Sequence, residues 1–137
     1  MDLNDFFFEN ALDASRRVHD LEQFRDYLDG FLKGEEVFFR DEAHPDLARE
    51  FEPLFSATFP PILHSSLVIL SVMLVELEMR AVASALKQHL GLPLAMSDLQ
   101  GSLLDRFRKF TAALAGFDWQ ACDDIWIEIS GVFEVRN

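Results

Sequence analysis

Glu76, Glu78 and Arg80 stand in or just beyond the most apolar run of the chain, Leu67 to Leu77. An ionised carboxylate there is costly unless it is paired or partly wet. Two readings are open: the carboxylates mark where a helix emerges beside Arg80, or one of them points into a functional cleft. Two positions apart on a helix, Glu76 and Glu78 face different ways. Arg106, Arg108 and Lys109 form the only local concentration of positive charge, partly offset by Asp105, and present a small surface that phosphate or RNA could use. Arg136, followed by Asn137, closes an amphipathic stretch.

Other chemistries find little support. A metal site on helices needs converging donors, in pairs such as Glu-x-x-His or His-x-x-x-His, and neither pattern occurs. His19 and Glu22 lie one turn apart, but one such pair on an amphipathic helix suits a solvated face. No metal and no cofactor are expected. Cys122 as a nucleophile would need a base and a depressed thiol pKa, and its place among apolar residues fits a packed core thiol better.

Helices must position all of these groups. Phe7, Ala11, Ala14, Val18, Leu21, Phe24, Leu28 and Phe31 recur in steps of three and four, with charges filling the other face. Gly30 and Gly34 are expected to end this helix, and Glu35 to His44 to form a loop whose Val37, Phe38 and Phe39 pack back. His44-Pro45-Asp46 reads as a helix entry, with proline in the first turn and acidic residues where the dipole favours them. A short helix to about Ser56 follows, and Pro60-Pro61 restart the chain. Ile62 to Leu90 has no glycine or proline and is apolar on most faces, which predicts a buried central helix ended by Gly91 and Pro93. Ser97 with Gln100 reads as a capping box for a helix carrying Leu99, Leu103, Phe107, Phe110 and Leu114 as far as Gly116. Asp118 caps the last helix, whose apolar set is Trp119, Cys122, Ile125, Trp126, Ile129, Val132 and Phe133. No strand signal and no repeat appears. The expected fold is all-α: an up-and-down bundle of four main helices and a short one, in a single domain over 1–137.

Length and composition agree. The 137 residues suit one domain, and 50% hydrophobic residues with 14 Phe can fill a core. The net charge of −12 excludes a broad nucleic-acid surface of massed Lys and Arg. Residues 1–56 hold 15 acidic and 6 basic side chains, against 9 and 6 in the remainder, so a small basic cleft remains possible in the second part. One cysteine, no basic leader and an apolar run well short of the roughly 20 residues that span a bilayer lead to a cytoplasmic protein without a membrane segment.

The ending, Trp126-Ile127-Glu128-Ile129-Ser130-Gly131-Val132-Phe133-Glu134-Val135-Arg136-Asn137, resembles the arginine helix of the HEPN superfamily. These are helical-bundle proteins, many of them metal-independent ribonucleases of toxin–antitoxin, phage-defence and RNA-processing systems. The resemblance covers roughly the last half of the chain. Val68 to Leu90, with Leu77-Glu78, is similar to the family's central helix; Ser97-Asp98-Leu99-Gln100-Gly101 with Leu103, Phe107 and Phe110 is similar to the next. The family signature is an arginine, a polar residue that is often asparagine, and a histidine about five positions after the arginine. Arg136 and Asn137 match the first two places, and the third falls beyond Asn137. His19, His44, His64 and His89 are outside the motif.

The resemblance implies a homodimer with a cleft at the interface, where an RNA 2′-hydroxyl attacks the adjacent phosphodiester. Histidine moves protons there, and arginine counters developing charge. The resemblance thus implies Arg136 and Asn137 as the partial catalytic set, with Glu78 as an addition, and RNA or an antitoxin protein as the expected partner. Without the histidine these 137 residues are expected not to cleave RNA, and an ending at the arginine-asparagine step suggests a cut in a longer protein. The alternative is a non-enzymatic helical protein-interaction module. The 14 Phe, 2 Trp and 1 Tyr are many rings for a small bundle to bury, which by itself favours self-association.

Overall fold

A computed structural model describes residues 3–136, except the side chains of Leu3, Asn4, Phe6, Val135 and Arg136. Among the described residues the fold is all-α: α1 (Leu3–Asp41), α2 (Pro45–Pro53), α3 (Phe59–Leu90), α4 (Leu103–Lys109) and α5 (Asp123–Arg136). Leu54–Thr58 and Phe110–Leu114 are π-helical turns, and Met96–Asp98 and Gln120–Cys122 are 3₁₀ turns. The chain clusters into two compact units, Asp13–Ser71 and the combination of Met1–Leu12 with Val72–Asn137.

In the Asp13–Ser71 unit the expected loop at 35–44 does not form, and α1 continues to Asp41. Gly30 and Gly34 keep negative φ, and each costs only about 1 kcal/mol relative to alanine in a helix. Rings offset that cost. Phe39, on the extended part of α1, stacks on Phe51 and on Phe55 with centroids 5.4 Å apart in each pair. Phe55 meets Phe59 edge-on at 5.2 Å and Phe31 at 6.4 Å. Aromatic pairs of this kind contribute about 0.5–1.5 kcal/mol beyond their buried area. Leu32 is the unit's one buried residue among those described.

The helix entry at His44 forms as expected, with its Nδ1 accepting from Asp46 N–H at 3.4 Å. The restart at Pro60-Pro61 does not. Instead the helix widens at Leu54–Thr58, where Phe59 N–H reaches back five residues to Leu54 O, and both prolines enter the first turn of α3. A π turn relieves the hydrogen-bond mismatch that proline creates in an α ladder.

The other unit is built on the later turns of α3. Met79, Ala83 and Leu86 are buried with Met96, Phe107, Phe110 and Trp126 in one cluster. Gly91, at φ +61°, ends α3, and Leu92 N–H donates to Lys87 O at 3.0 Å in the Schellman pattern. The capping box lies five residues later than the sequence suggests. Ser97 sits in the 3₁₀ turn, Leu99 is extended, and α4 starts after Ser102, whose Oγ accepts from Asp105 N–H at 3.2 Å. Gly101, at φ +120°, makes the corner between the expected start at Ser97 and the actual one at Ser102.

The expectation that α3 is buried on most faces is overturned. Val72, Met79, Ala83 and Leu86 are its buried residues, whereas Ile69, Leu70, Met73 and Leu77 are 46–56% exposed. The continuous helical run Pro45–Leu90 is long and apolar enough to cross a membrane by length and composition, and 6% of its apolar window is buried. The helix has one stripe facing the core and a second apolar stripe that this fold leaves open.

Candidate functional site

The corner that leads into α5 is set by Thr111. Its hydroxyl donates to Phe107 O at 2.8 Å and accepts from Trp119 Nε1–H at 3.0 Å. Its carbonyl accepts from Phe117 N–H at 2.9 Å, and Gly116, at φ +69°, allows the turn. Thr111 is 4% exposed, so its polar atoms gain fully from these partners. Trp119 is thereby fixed against Trp126, centroid to centroid 4.6 Å, and edge-on to Phe107 at 6.0 Å. The second tryptophan is the buried anchor of α5 and stacks on Phe107 at 6.4 Å. The expected cap of the last helix at Asp118 does not form: Asp118 Oδ1 accepts from Gln120 N–H at 3.0 Å, but Trp119 precedes a 3₁₀ turn over Gln120–Cys122 and α5 starts only at Asp123.

A cavity of about 460 Å³ opens beside this corner, walled by Phe7, Val82, Leu86, Phe107, Phe117 and Trp119. Its size falls in the range of small-ligand pockets, but its walls offer few polar groups with which to hold a reacting centre.

From that corner α5 runs without interruption for 14 residues to Arg136. The Arg136 side chain and Asn137 lie outside the described residues. Glu76 and Glu78 are both half-buried on α3, and each interacts with another residue. Cys122 is a half-buried free thiol. His19 meets Gln23 at 2.9 Å, and no cluster of three or more metal-capable side chains occurs among the described residues. His64, by contrast, gains a partner invisible in the sequence, Asp29 on α1, at 2.9 Å.

The basic triplet does not act as one surface. Arg108 is tied to Asp123 at 2.6 Å and lies 6.0 Å from the Trp119 ring centroid. Lys109 Nζ donates to Gln100 O at 3.4 Å, and Arg106 Nε is buried with no hydrogen-bond partner. Another pair of cations shares a cleft of about 230 Å³: Arg80 and Lys87 on α3, with Ser84 between them and Ser97 from the 3₁₀ turn. Their seven-residue spacing, two helical turns, was the available signal. It is concealed in the sequence because local charge density, not helical phase, draws attention to the triplet.

No protein family, no curated protein and no solved structure matches this chain.

Proposed function

We propose that this chain is a HEPN-like helical protein, working as a cytoplasmic homodimer in a toxin–antitoxin or phage-defence setting and related to metal-independent ribonucleases. The observation that carries the reading is the unbroken α5, which ends at Arg136 after being anchored through Trp126. An arginine at the end of a rigid, aromatic-anchored helix suits the task of countering charge on a phosphodiester in attack by a 2′-hydroxyl. Asn137 would stand next to it as the polar partner, with Glu78 on α3 as the third member. The proton-moving histidine has no counterpart in residues 1–137, so this polypeptide is expected to leave RNA intact.

Incubating it with a mixed-sequence RNA should give no cleavage above background. A version extended past Asn137, with histidine at the third motif position, should cleave in an Arg136-dependent manner. Arg136-dependent cleavage by the 137-residue form would refute the assigned roles, and an inactive extended dimer would refute the ribonuclease relationship.

A second reading, a helical protein-interaction module, is favoured by the open apolar stripe of α3. Sedimentation separates the two: the first requires a homodimer at micromolar concentration, and the second allows a monomer that dimerises with nothing of its own kind.

A further inference from the structure

The cleft between α3 and the Ala95–Ser97 segment brings two cations and two serine hydroxyls together. Arg80, Ser84 and Lys87 share one face of α3, and Ser97 closes the far side. Neither Arg80 nor Lys87 forms an ion pair with a described carboxylate, a state they share with Arg49 and Lys33, whereas Arg16, Arg25, Arg40 and Arg108 are paired. The serines are distinctive. Ser65, Ser66 and Ser71 on α3 turn their hydroxyls back onto the carbonyls of Pro61, Ile62 and Leu67, the ordinary resting place for a helical serine. Ser84 makes no such bond, and Ser97 Oγ likewise has no partner among the described residues. Asp98, in the adjoining turn, does not line the cleft, and its carboxylate accepts from Ala95 N–H at 2.7 Å.

We propose that this cleft binds a phosphate dianion, supplied as free phosphate or as the terminal phosphate group of a nucleotide. Two cations match a group carrying about −1.5 to −2 at pH 7, and two uncommitted hydroxyls supply donors for its oxygens. The volume, about 230 Å³, is below the roughly 300–1,000 Å³ of pockets that enclose whole drug-sized ligands, so the cleft holds the charged group and leaves the remainder of a ligand outside. A polynucleotide strand is a poorer fit, because the chain's net charge of −12 repels a long polyanion while two cations serve one phosphate. The assignment is independent of the ribonuclease-like reading and of Arg136.

Titration calorimetry of the full 137-residue chain with inorganic phosphate, AMP, adenosine and an RNA oligomer lacking terminal phosphates tests it. Phosphate and AMP should bind with dissociation constants of about 1 mM or tighter, and adenosine should not bind. Arg80→Ala and Lys87→Ala should each weaken binding about tenfold or more, Lys87→Arg should retain most of it, and Lys33→Ala, in the other unit, should leave it unchanged. AMP binding without phosphate binding would still place the monoester in the cleft if the Arg80→Ala and Lys87→Ala losses persist. No binding of either up to about 10 mM, equal binding of AMP and adenosine, unchanged affinity in a folded Arg80→Ala/Lys87→Ala double variant, or binding of the RNA oligomer alone would each overturn it.

Discussion

Replacing Phe110 with alanine tests the core where its packing is most complete. Phe110 has no exposed surface and stands at the entry to the π turn, among α3, α4 and α5 side chains of one cluster. A buried phenylalanine removes about 150–250 Å² from water, and at about 25 cal/mol per Å² that is roughly 4–6 kcal/mol, part of which the alanine methyl retains. With the cavity left behind, the expected loss is about 3–5 kcal/mol, a large fraction of the roughly 5–15 kcal/mol that keeps a domain folded. Urea unfolding followed by tryptophan fluorescence is the suitable assay, because both tryptophans, Trp119 and Trp126, belong to this unit. For a slope of about 1–3 kcal/mol per molar urea, the midpoint should fall by about 1–5 M. Ile127→Ala, at a residue 69% exposed on α5, is the matched control and should change stability by about 0.5 kcal/mol or less. A Phe110→Ala loss below about 1 kcal/mol, or one no larger than the control's, would refute the packing argument.

The glycines should respond in opposite directions. Gly30→Ala meets nothing within 4 Å in a helical backbone and should stabilise by about 0.5–1 kcal/mol in a thermal melt, whereas Gly101→Ala should destabilise by about 1–3 kcal/mol, since φ is +120° and the new methyl would lie 3.1 Å from Asp105 Cβ. Asp105 should make the α4 cap pH-dependent. The Ser102 hydroxyl and backbone N–H, with Lys109 adding a smaller pull, hold its carboxyl below the ordinary value. A depressed folded pKa contributes stability above the unfolded value near 3.9 and loses it as pH falls through the folded one. The stability gap between the parent and Ser102→Ala should therefore be wider at pH 6 than near pH 3, and a gap that grows on acidification would contradict the cap geometry. Removing the Phe39 ring should open the junction of α1 and α2: Phe39→Ala loses stacks on two rings and should cost about 2–4 kcal/mol in far-UV-monitored unfolding, with no loss pointing to a ladder that does not hold the segment.

The all-α class was legible because helical period dominates every apolar segment. The boundaries that moved did so where a local signal and a distant contact disagree. Gly30 and Gly34 read as stops because propensity is local, while Phe39 holds the helix by rings that approach from Phe51 and Phe55. Ser97 reads as a cap because Gln100 follows at the right spacing, yet Gly101's positive φ turns the chain so that the helix starts after Ser102. The stripe that keeps α3 apolar on several faces looks identical in sequence whether it is covered or open. Arg136 and Asn137 were singled out by resemblance alone and lie, as side chains, outside the described residues, whereas the Arg80–Lys87 cleft depends on a turn from elsewhere in the chain closing over two helical steps.

The Trp119–Thr111 hydrogen bond has a consequence on the time axis. An indole proton shared with a buried hydroxyl exchanges with solvent only when the corner at Thr111 opens, so its exchange rate measures the free energy of that local event separately from global unfolding. If the corner opens more readily than the Phe110 cluster unfolds, α5 can be released and recaptured while the core persists, and one proton will report how often the helix bearing Arg136 leaves its seat.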